Sequence, residues 1–391
     1  MIVSALLTLI VSSPPWATRA ILPVNANDAG LHELLDDGEV VLVKEQAAKS
    51  FRGLMVTRTH ENCTSLEARM MDVRGYPSIW KKIKKVEVIE QTERDVHYAV
   101  YVDVFLSPRL EARIKNPEPG KVVYYNDVTP SIFTWNLEPR GESCMLFYEM
   151  YHPDGVRSDF VDLVNRLEPS INDAGEVAAA LVSARGYATP ERAGKRALSA
   201  RGVATFDELS GIGTALRVIR RDKHVPVYVA RRRVAVTLDK ALARIQNKPA
   251  YETHIDVLND VETSGTKTTW HLSSFGGKVA FETRVEEHHL PNGVVVVDEV
   301  VVGGDIKSGR WTWTLTPVPG GTAIELNVDL DVTRGSRVLT TLANQDQLIR
   351  DSTGLQLVYE YMRLVAPEQA LSNGDAVLAG RAVLSPARGA N

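Results

Sequence analysis

At 391 residues and 44% hydrophobic, the chain is long enough to bury two domain-sized cores. Its 45 basic and 49 acidic residues leave a net charge of −4, and no stripe of Arg and Lys interleaves with aromatics, which argues against a dedicated nucleic-acid binder. Two cysteines, Cys63 and Cys144, exclude a disulfide framework or a cysteine-built zinc site and leave a single bridge open.

Ile2 to Val11 is an apolar run too short to span a bilayer. It has the length of a signal-peptide core, with Ala17, Ala20 or Ala26 as small-residue cleavage positions, although no Lys or Arg precedes it. Residues 1–30 are read as a leader. Export to the periplasm or medium follows if that signal is real, and a cytoplasmic location if it is not. No later stretch has the length and apolarity of a membrane span.

The first unit, 31–187, opens with Leu31-His-Glu33-Leu34 and a turn at Asp36-Asp37-Gly38. A strand at Gly53–Thr59 leads to a helix capped by Thr64 and ending before Pro77, then to a helical turn over Ser78–Ile83. Six strands follow: 86–90, 96–105, 109–114, 121–128, 132–137 and 143–151. Turn signals separate them, among them Asn116-Pro-Glu-Pro-Gly120 and Pro139-Arg-Gly141. A helix over Asp173–Arg185 closes the unit. Residues 188–205, basic, Ala-rich and without apolar periodicity, are the linker, read as partly helical.

The second unit, 206–366, repeats this order: Phe206-Asp-Glu208-Leu209, a strand at Val225–Val236, a helix capped by Thr237 and ending before Pro249, and a meander. Pro291-Asn292-Gly293 marks a hairpin. A helix over Gln345–Val365 closes the unit and 367–391 is a polar tail. The repeat shows most clearly in one block. Asp127, Trp135, Leu137 and Pro139 each recur 178 residues later as Asp305, Trp313, Leu315 and Pro317. The aromatic-x-Trp-x-Leu alternation places large side chains on one strand face. Self-similarity at this distance means two homologous domains. Each unit is α+β: an antiparallel sheet whose apolar face needs a cover, supplied by the long closing helix.

With these elements placed, the chain resembles the START-type helix-grip superfamily, in particular bacterial coenzyme-Q-binding and polyketide-cyclase-type domains. The first unit carries the resemblance in Leu66–Asp72, Tyr76-Pro77-x-x-Trp80, Lys84-Lys85-Val86, Asn126-Asp-Val to Trp135-x-Leu-x-Pro139, and Met145–Tyr151. The second carries it in Gly303-Gly-Asp305 to Trp313-x-Leu-x-Pro317 and Gly320-Gly-Thr322. It departs at Gln246-Asn-Lys-Pro249-Ala-Tyr251, which lacks the helix-ending aspartate and the tryptophan. The resemblance implies two tandem curved sheets, each wrapped on its closing helix around an internal cavity, with binding or transfer of a hydrophobic molecule in most members and catalysis in a minority.

The candidate ligand-binding residues are the inward strand positions: Tyr98, Val100 and Val102; Phe133, Trp135 and Leu137; Leu146, Tyr148 and Met150; and Trp311, Trp313 and Leu326. Val177, Leu181 and Val182 are the lid side in the first unit. The first unit, with its more aromatic strand faces, is the expected binder. Each inward Trp needs a partner for its indole N–H. Asp127 and Asp305 are read as turn organisers.

No phosphate-binding glycine loop, nucleophile elbow, HExxH or CxxC motif is present. His288-His289 beside Glu286-Glu287 reads as a solvated strand end, because adjacent residues point to opposite faces. The reading is therefore a non-enzymatic carrier or sensor of a sterol, quinone, isoprenoid or acyl lipid, needing no cofactor or metal. Basic runs such as Arg231-Arg232-Arg233 are solvated faces, with transient membrane contact as the minority reading. The alternative is a polyketide cyclase or aromatase-like enzyme using Tyr98, Tyr148, His97 or Arg113 as acid and base. Two or more inward, mutually hydrogen-bonded polar groups favour the enzyme, and an apolar wall favours the carrier.

Overall fold

The computed structural model describes residues 27–36, 38–47, 50–80, 83–102, 109–126, 132–152, 197–220, 226–253, 255, 258–274, 277–306, 308–331 and 347–365. The leader before residue 27, the first closing helix with Val177, Leu181 and Val182, Asp127, and the tail after residue 365 lie outside them.

In the first repeat α1 (Ala29–Leu35), β1 (Gly38–Ala47) and β2 (Ser50–Thr59) precede α2 (Cys63–Met71) and the short α3 (Tyr76–Ile79). Six strands follow: β3 (Ile83–Gln91), β4 (Asp95–Val102), β5 (Arg109–Glu118), β6 (Lys121–Asn126), β7 (Ile132–Arg140) and β8 (Ser143–His152). In the second repeat α4 (Ala200–Ser210), β9 (Thr214–Ile219) and β10 (Val227–Val234) lead to α5 (Leu238–Gln246) and a 3-10 turn, Lys248–Thr253. The meander is β11 (Leu258–Ser264), β12 (Lys267–Ser274), β13 (Gly277–His289), β14 (Val295–Gly304), β15 (Ser308–Val318) and β16 (Gly321–Asp331). It ends in α6 (Gln347–Val365).

Several local expectations change. The cap of α2 is Asn62, whose side chain accepts from the Ser65 amide at 2.8 Å, and not Thr64. Thr237 precedes α5 without making a side-chain cap. The short helix lies at Tyr76–Ile79, with Pro77 in its first turn where a missing N–H is tolerated, rather than at Ser78–Ile83. Asp28 caps α1, so the first helix begins inside the segment read as leader. Ala200 starts α4 inside the segment read as a partly helical linker, and the helix runs on through Ser210. At the 291–293 hairpin, three residues separate Leu290 from Val294, whose carbonyl accepts from the Leu290 amide, and Asn292 and Gly293 both take positive φ, 69° and 74°.

All sixteen described strands pair antiparallel in one sheet, ordered β11-β12-β13-β14-β15-β16-β10-β9-β1-β2-β8-β7-β6-β5-β4-β3. The two repeats meet where β1 pairs with β9, Val41 opposite Leu216. These two strands are missing from the sequence reading. The centre of β1 is apolar on both faces, and β9 is six residues long with buried Arg217 breaking its outer apolar face, so neither shows a clean alternation. Val41, Val43, Leu216 and Val218 join the large core on the inner face. Val40, Leu42 and Ala215 join a second core on the outer face, under α1 and α4, with Leu31, Leu34, Leu35, Phe206 and Leu209. Both repeats contribute to that second core.

The helices at this joint interlock through their caps. Asp28, the cap of α1, accepts from Thr205 of α4 at 2.9 Å. Ser199, the cap of α4, donates through its hydroxyl to Glu33 of α1 at 2.7 Å. Arg220 reaches the fully buried Glu39, donating through Nε at 3.0 Å. In the second repeat α6 packs on β10, β16 and α5. Gly354 of α6 allows the close approach, since a Cβ there would stand 2.6 Å from the Tyr228 ring.

Candidate functional site

The strand pleat delivers the sequence candidates to the inner face. Tyr98, Trp135, Leu137, Leu146, Tyr148 and Met150 are buried in the first repeat, and Trp311, Trp313 and Leu326 in the second. Val100 and Phe133 are partly buried against the same core. Val102 ends β4. Cross-strand register brings Trp135 opposite Tyr148 and Phe133 opposite Met150, while Trp313 faces Leu326. The Trp135 ring lies 4.9 Å from Tyr148 and 6.2 Å from Tyr124, and Tyr76 meets Tyr98 edge-on at 5.7 Å. Burial, with Tyr76 and Tyr124 nearby, pushes the Tyr98 phenol well above its ordinary pKa, so it stays protonated. His97 and Tyr101 take the other face, bonded to Glu111 at 3.2 Å and Glu87 at 3.0 Å.

The second repeat has a different interior. Lys248, on the turn after α5, and Glu299, on β14, are both buried, and the ammonium donates to Glu299 Oε1. The Lys248 Nζ also lies 5.0 Å from the Tyr251 ring centroid and 5.5 Å from that of Trp270, close enough for cation–π attraction. Tyr361 of α6 approaches Tyr251 at 5.5 Å and Trp313 at 6.2 Å. Burial, then the Glu299 charge, raises the phenols of Tyr251 and Tyr361 well above their ordinary pKa. Both therefore remain protonated.

Three polar atoms here are buried without a hydrogen-bond partner among the described residues: Glu299 Oε2 and the indole Nε1 of Trp311 and Trp313. An unmade bond of this kind costs about 1–3 kcal/mol for a neutral donor and more for a charged oxygen. Trp270, by contrast, donates to Thr283 Oγ1 at 2.9 Å. The expected partner for the Trp313 indole is thus not found. Glu299 sits directly opposite Trp311, and Val297, two residues before it, opposite Trp313. All three unpaired atoms therefore belong to neighbouring side chains on one face.

Corresponding positions in the first repeat are uncharged. Tyr76 donates to the Met70 carbonyl and Tyr251 to that of Ile245, each six residues upstream, which fixes their equivalence. Three residues before each tyrosine stand Val73 and Lys248. Tyr124 pairs with Phe133 as Glu299 pairs with Trp311. A valine and a tyrosine thus occupy the places of the ion pair.

Sequence reasoning missed Lys248, Tyr251, Trp270, Glu299 and Tyr361. The 246–251 stretch shows only as a departure from the motif, and its partner lies 51 residues away. Asp305 does organise backbone, but at long range: its carboxylate accepts from the Ala280 amide of β13 at 2.8 Å. His288 and His289 are exposed at the end of β13, with His289 bonded to Glu287 at 2.6 Å. Cys63 and Cys144 form a disulfide that fastens α2 to β8. No helix among the described residues is long and apolar enough to cross a membrane.

Residues 238–347 match the family described as polyketide cyclase / dehydrase and lipid transport. The match covers less than a third of the chain and runs from α5 past β16, through Lys248, Glu299 and both unpaired tryptophans. It bears out the polyketide-cyclase-type resemblance in the second repeat. No curated protein matches the sequence.

Similar solved structures include the di-domain ARO/CYC StfQ from the steffimycin biosynthetic pathway, at 10% identity and TM-score 0.28, covering 85% of this chain and 99% of that one. Another is a STAR-related lipid transfer protein from Xanthomonas axonopodis, at 11% identity and TM-score 0.30, covering 39% and 93%. A third is the Zhui aromatase/cyclase from Streptomyces sp. R1128, at 16% and 0.25, covering 29% and 73%.

Proposed function

We propose that the protein binds a hydrophobic small molecule or lipid between the inner face of its sheet and the closing helices, in a helix-grip arrangement, as a carrier or sensor. The observation that carries this reading is the continuous inner face of large apolar side chains, Tyr98, Trp135 and Tyr148 in one repeat and Trp270, Trp311 and Trp313 in the other. The packing of α6 over β10 and β16 supports the grip. Sterols, quinones, isoprenoids and acyl lipids all suit such a wall, because apolar surfaces discriminate weakly among shapes of similar size. The Cys63–Cys144 disulfide supports export, since disulfides persist in oxidising compartments.

One observation favours a second reading. Lys248 and Glu299 are inward, buried and bonded to each other, the mark set for acid–base chemistry on a cyclase-type substrate. Native mass spectrometry of the purified protein, followed by solvent extraction, tests the carrier reading. A stoichiometric lipid released unchanged is the expected result. A chemically altered product recovered from an added substrate would replace the carrier with the enzyme.

A further inference from the structure

We propose that Lys248, Glu299, Trp311 and Trp313 form a polar anchor in the second repeat for the hydroxyl end of an uncharged hydrophobic ligand. The inference rests on the hydrophobic-ligand reading above and adds the chemistry of the ligand's polar end.

The argument is one of matching valences. Glu299 has no solvent exposure, and its Oε1 is taken by the Lys248 ammonium. Its Oε2 has no partner among the described residues and can only accept. The indole N–H groups of Trp311 and Trp313, also buried and unpartnered, can only donate. Buried polar groups are seldom left unpaired in folded proteins, so an acceptor and two donors on neighbouring side chains call for a group that offers both roles. A hydroxyl is the smallest that does: its proton goes to Glu299 and its lone pairs take an indole N–H.

Charge narrows the choice. Lys248 and Glu299 cancel, so the site has no net attraction for an ion. A carboxylate ligand would meet the Glu299 charge at close range, and an amine would compete with Lys248 for it. Both are selected against, while a neutral alcohol or phenol is not. Around the anchor the wall is apolar, with Trp270, Phe281, Leu326 and Val328 on the same buried core. The first repeat has Val73 and Tyr124 at the matching places and lacks the carboxylate. The selection therefore belongs to the second repeat, whatever the first one holds.

The test titrates the full chain with two matched probe sets, read by calorimetry and tryptophan fluorescence: 1-dodecanol, dodecanoic acid and dodecane, and 2-naphthol, 2-naphthoic acid and naphthalene. In at least one set the hydroxyl compound is expected to bind about tenfold or more tighter than the acid and the hydrocarbon, the order expected for roughly one well-made hydrogen bond to a charged group. The pair Lys248→Met with Glu299→Leu should erase that preference while hydrocarbon binding stays. Trp313→Phe removes the N–H donor together with part of the buried ring and serves if the pair fails to fold; it should lower alcohol affinity severalfold more than it lowers hydrocarbon affinity. Equal binding of alcohol and hydrocarbon by the natural protein would mean that water satisfies these groups, and the anchor falls while the ligand reading stands. A preference that survives both variants also overturns the anchor. Binding of none of the six probes overturns the ligand reading and the anchor together.

Discussion

Glu299 accepts from Lys248 inside the second repeat, and each is the other's only charged hydrogen-bond partner among the described residues. A buried pair of this kind is asymmetric in its energetics. Removing one partner strands a charge, whereas replacing both removes the desolvation penalty as well. Lys248→Met alone should lower stability by about 3–5 kcal/mol, and Lys248→Met with Glu299→Leu should return it to near the natural value. Urea unfolding of the two single variants and the pair checks this. Additive losses would show that the two side chains do not act as a unit.

Trp135 in the first repeat is packed by Tyr148 and Tyr124 on the inner face. Trp135→Ala should cost about 3–5 kcal/mol if the ring is wholly core. A smaller loss, with lipid affinity falling by more than stability does, is the outcome if the ring borders a ligand. Measuring urea unfolding and lipid binding side by side separates the two. A full stability loss with unchanged binding in the folded fraction would remove Trp135 from the site.

Asp298, next to Glu299 but on the outer face, makes a two-pronged contact with Arg310 at 3.0 and 2.7 Å and accepts from Thr312 at 2.5 Å. Burial alone would raise its pKa, but these donors outweigh it and hold the carboxyl below its ordinary value. A depressed folded pKa adds stability that is complete above the unfolded value, about 3.9, and is lost as pH falls through the folded one. Asp298→Asn should therefore flatten the acid limb of the stability profile below about pH 4 relative to the natural protein. Thermal melts from pH 6 down to pH 2.5 read this out. Parallel limbs would mean that the contact is no stronger than solvent.

Residues 197–391 alone should carry the second inner face but leave the outer one incomplete. The cut uncovers Phe206, Leu209 and Ala215, which share a core with Leu31, Leu34 and Leu42, and it bares β9 along the line where β1 pairs. A sheet-rich product that self-associates is expected, returning to one-to-one assembly when residues 1–196 are co-expressed. A monomer with an unchanged cooperative melt would show that the joint contributes little.

Alternation made the meander legible. β7 reads Phe133-x-Trp135-x-Leu137, and its burial follows that pattern at Trp135 and Leu137, with Phe133 partly buried nearer the strand end. The six predicted strands of the first unit all fall on observed ones, with ends shifted by a few residues. What failed was alternation's absence. β1 is covered on both faces, so Val40 to Val43 look like any apolar run. The anchor was illegible for another reason. A lysine in a loop and a glutamate in a strand are ordinary until the fold sets them together, and only the break at 246–251 hinted that this repeat had changed its interior.

Joining the two meanders through β1 and β9 also alters what the molecule presents to other chains. Two separate sheets would expose four rims of unsatisfied amide and carbonyl groups, each a template for stray pairing. In the order observed among the described strands, only β3 and β11 remain as rims. Both are studded with charge, Lys84, Lys85, Glu87 and Glu90 on one and Asp260 and Glu262 on the other. Duplication has thus given the chain a second interior while leaving it no more open to fibrous assembly than a single unit would be.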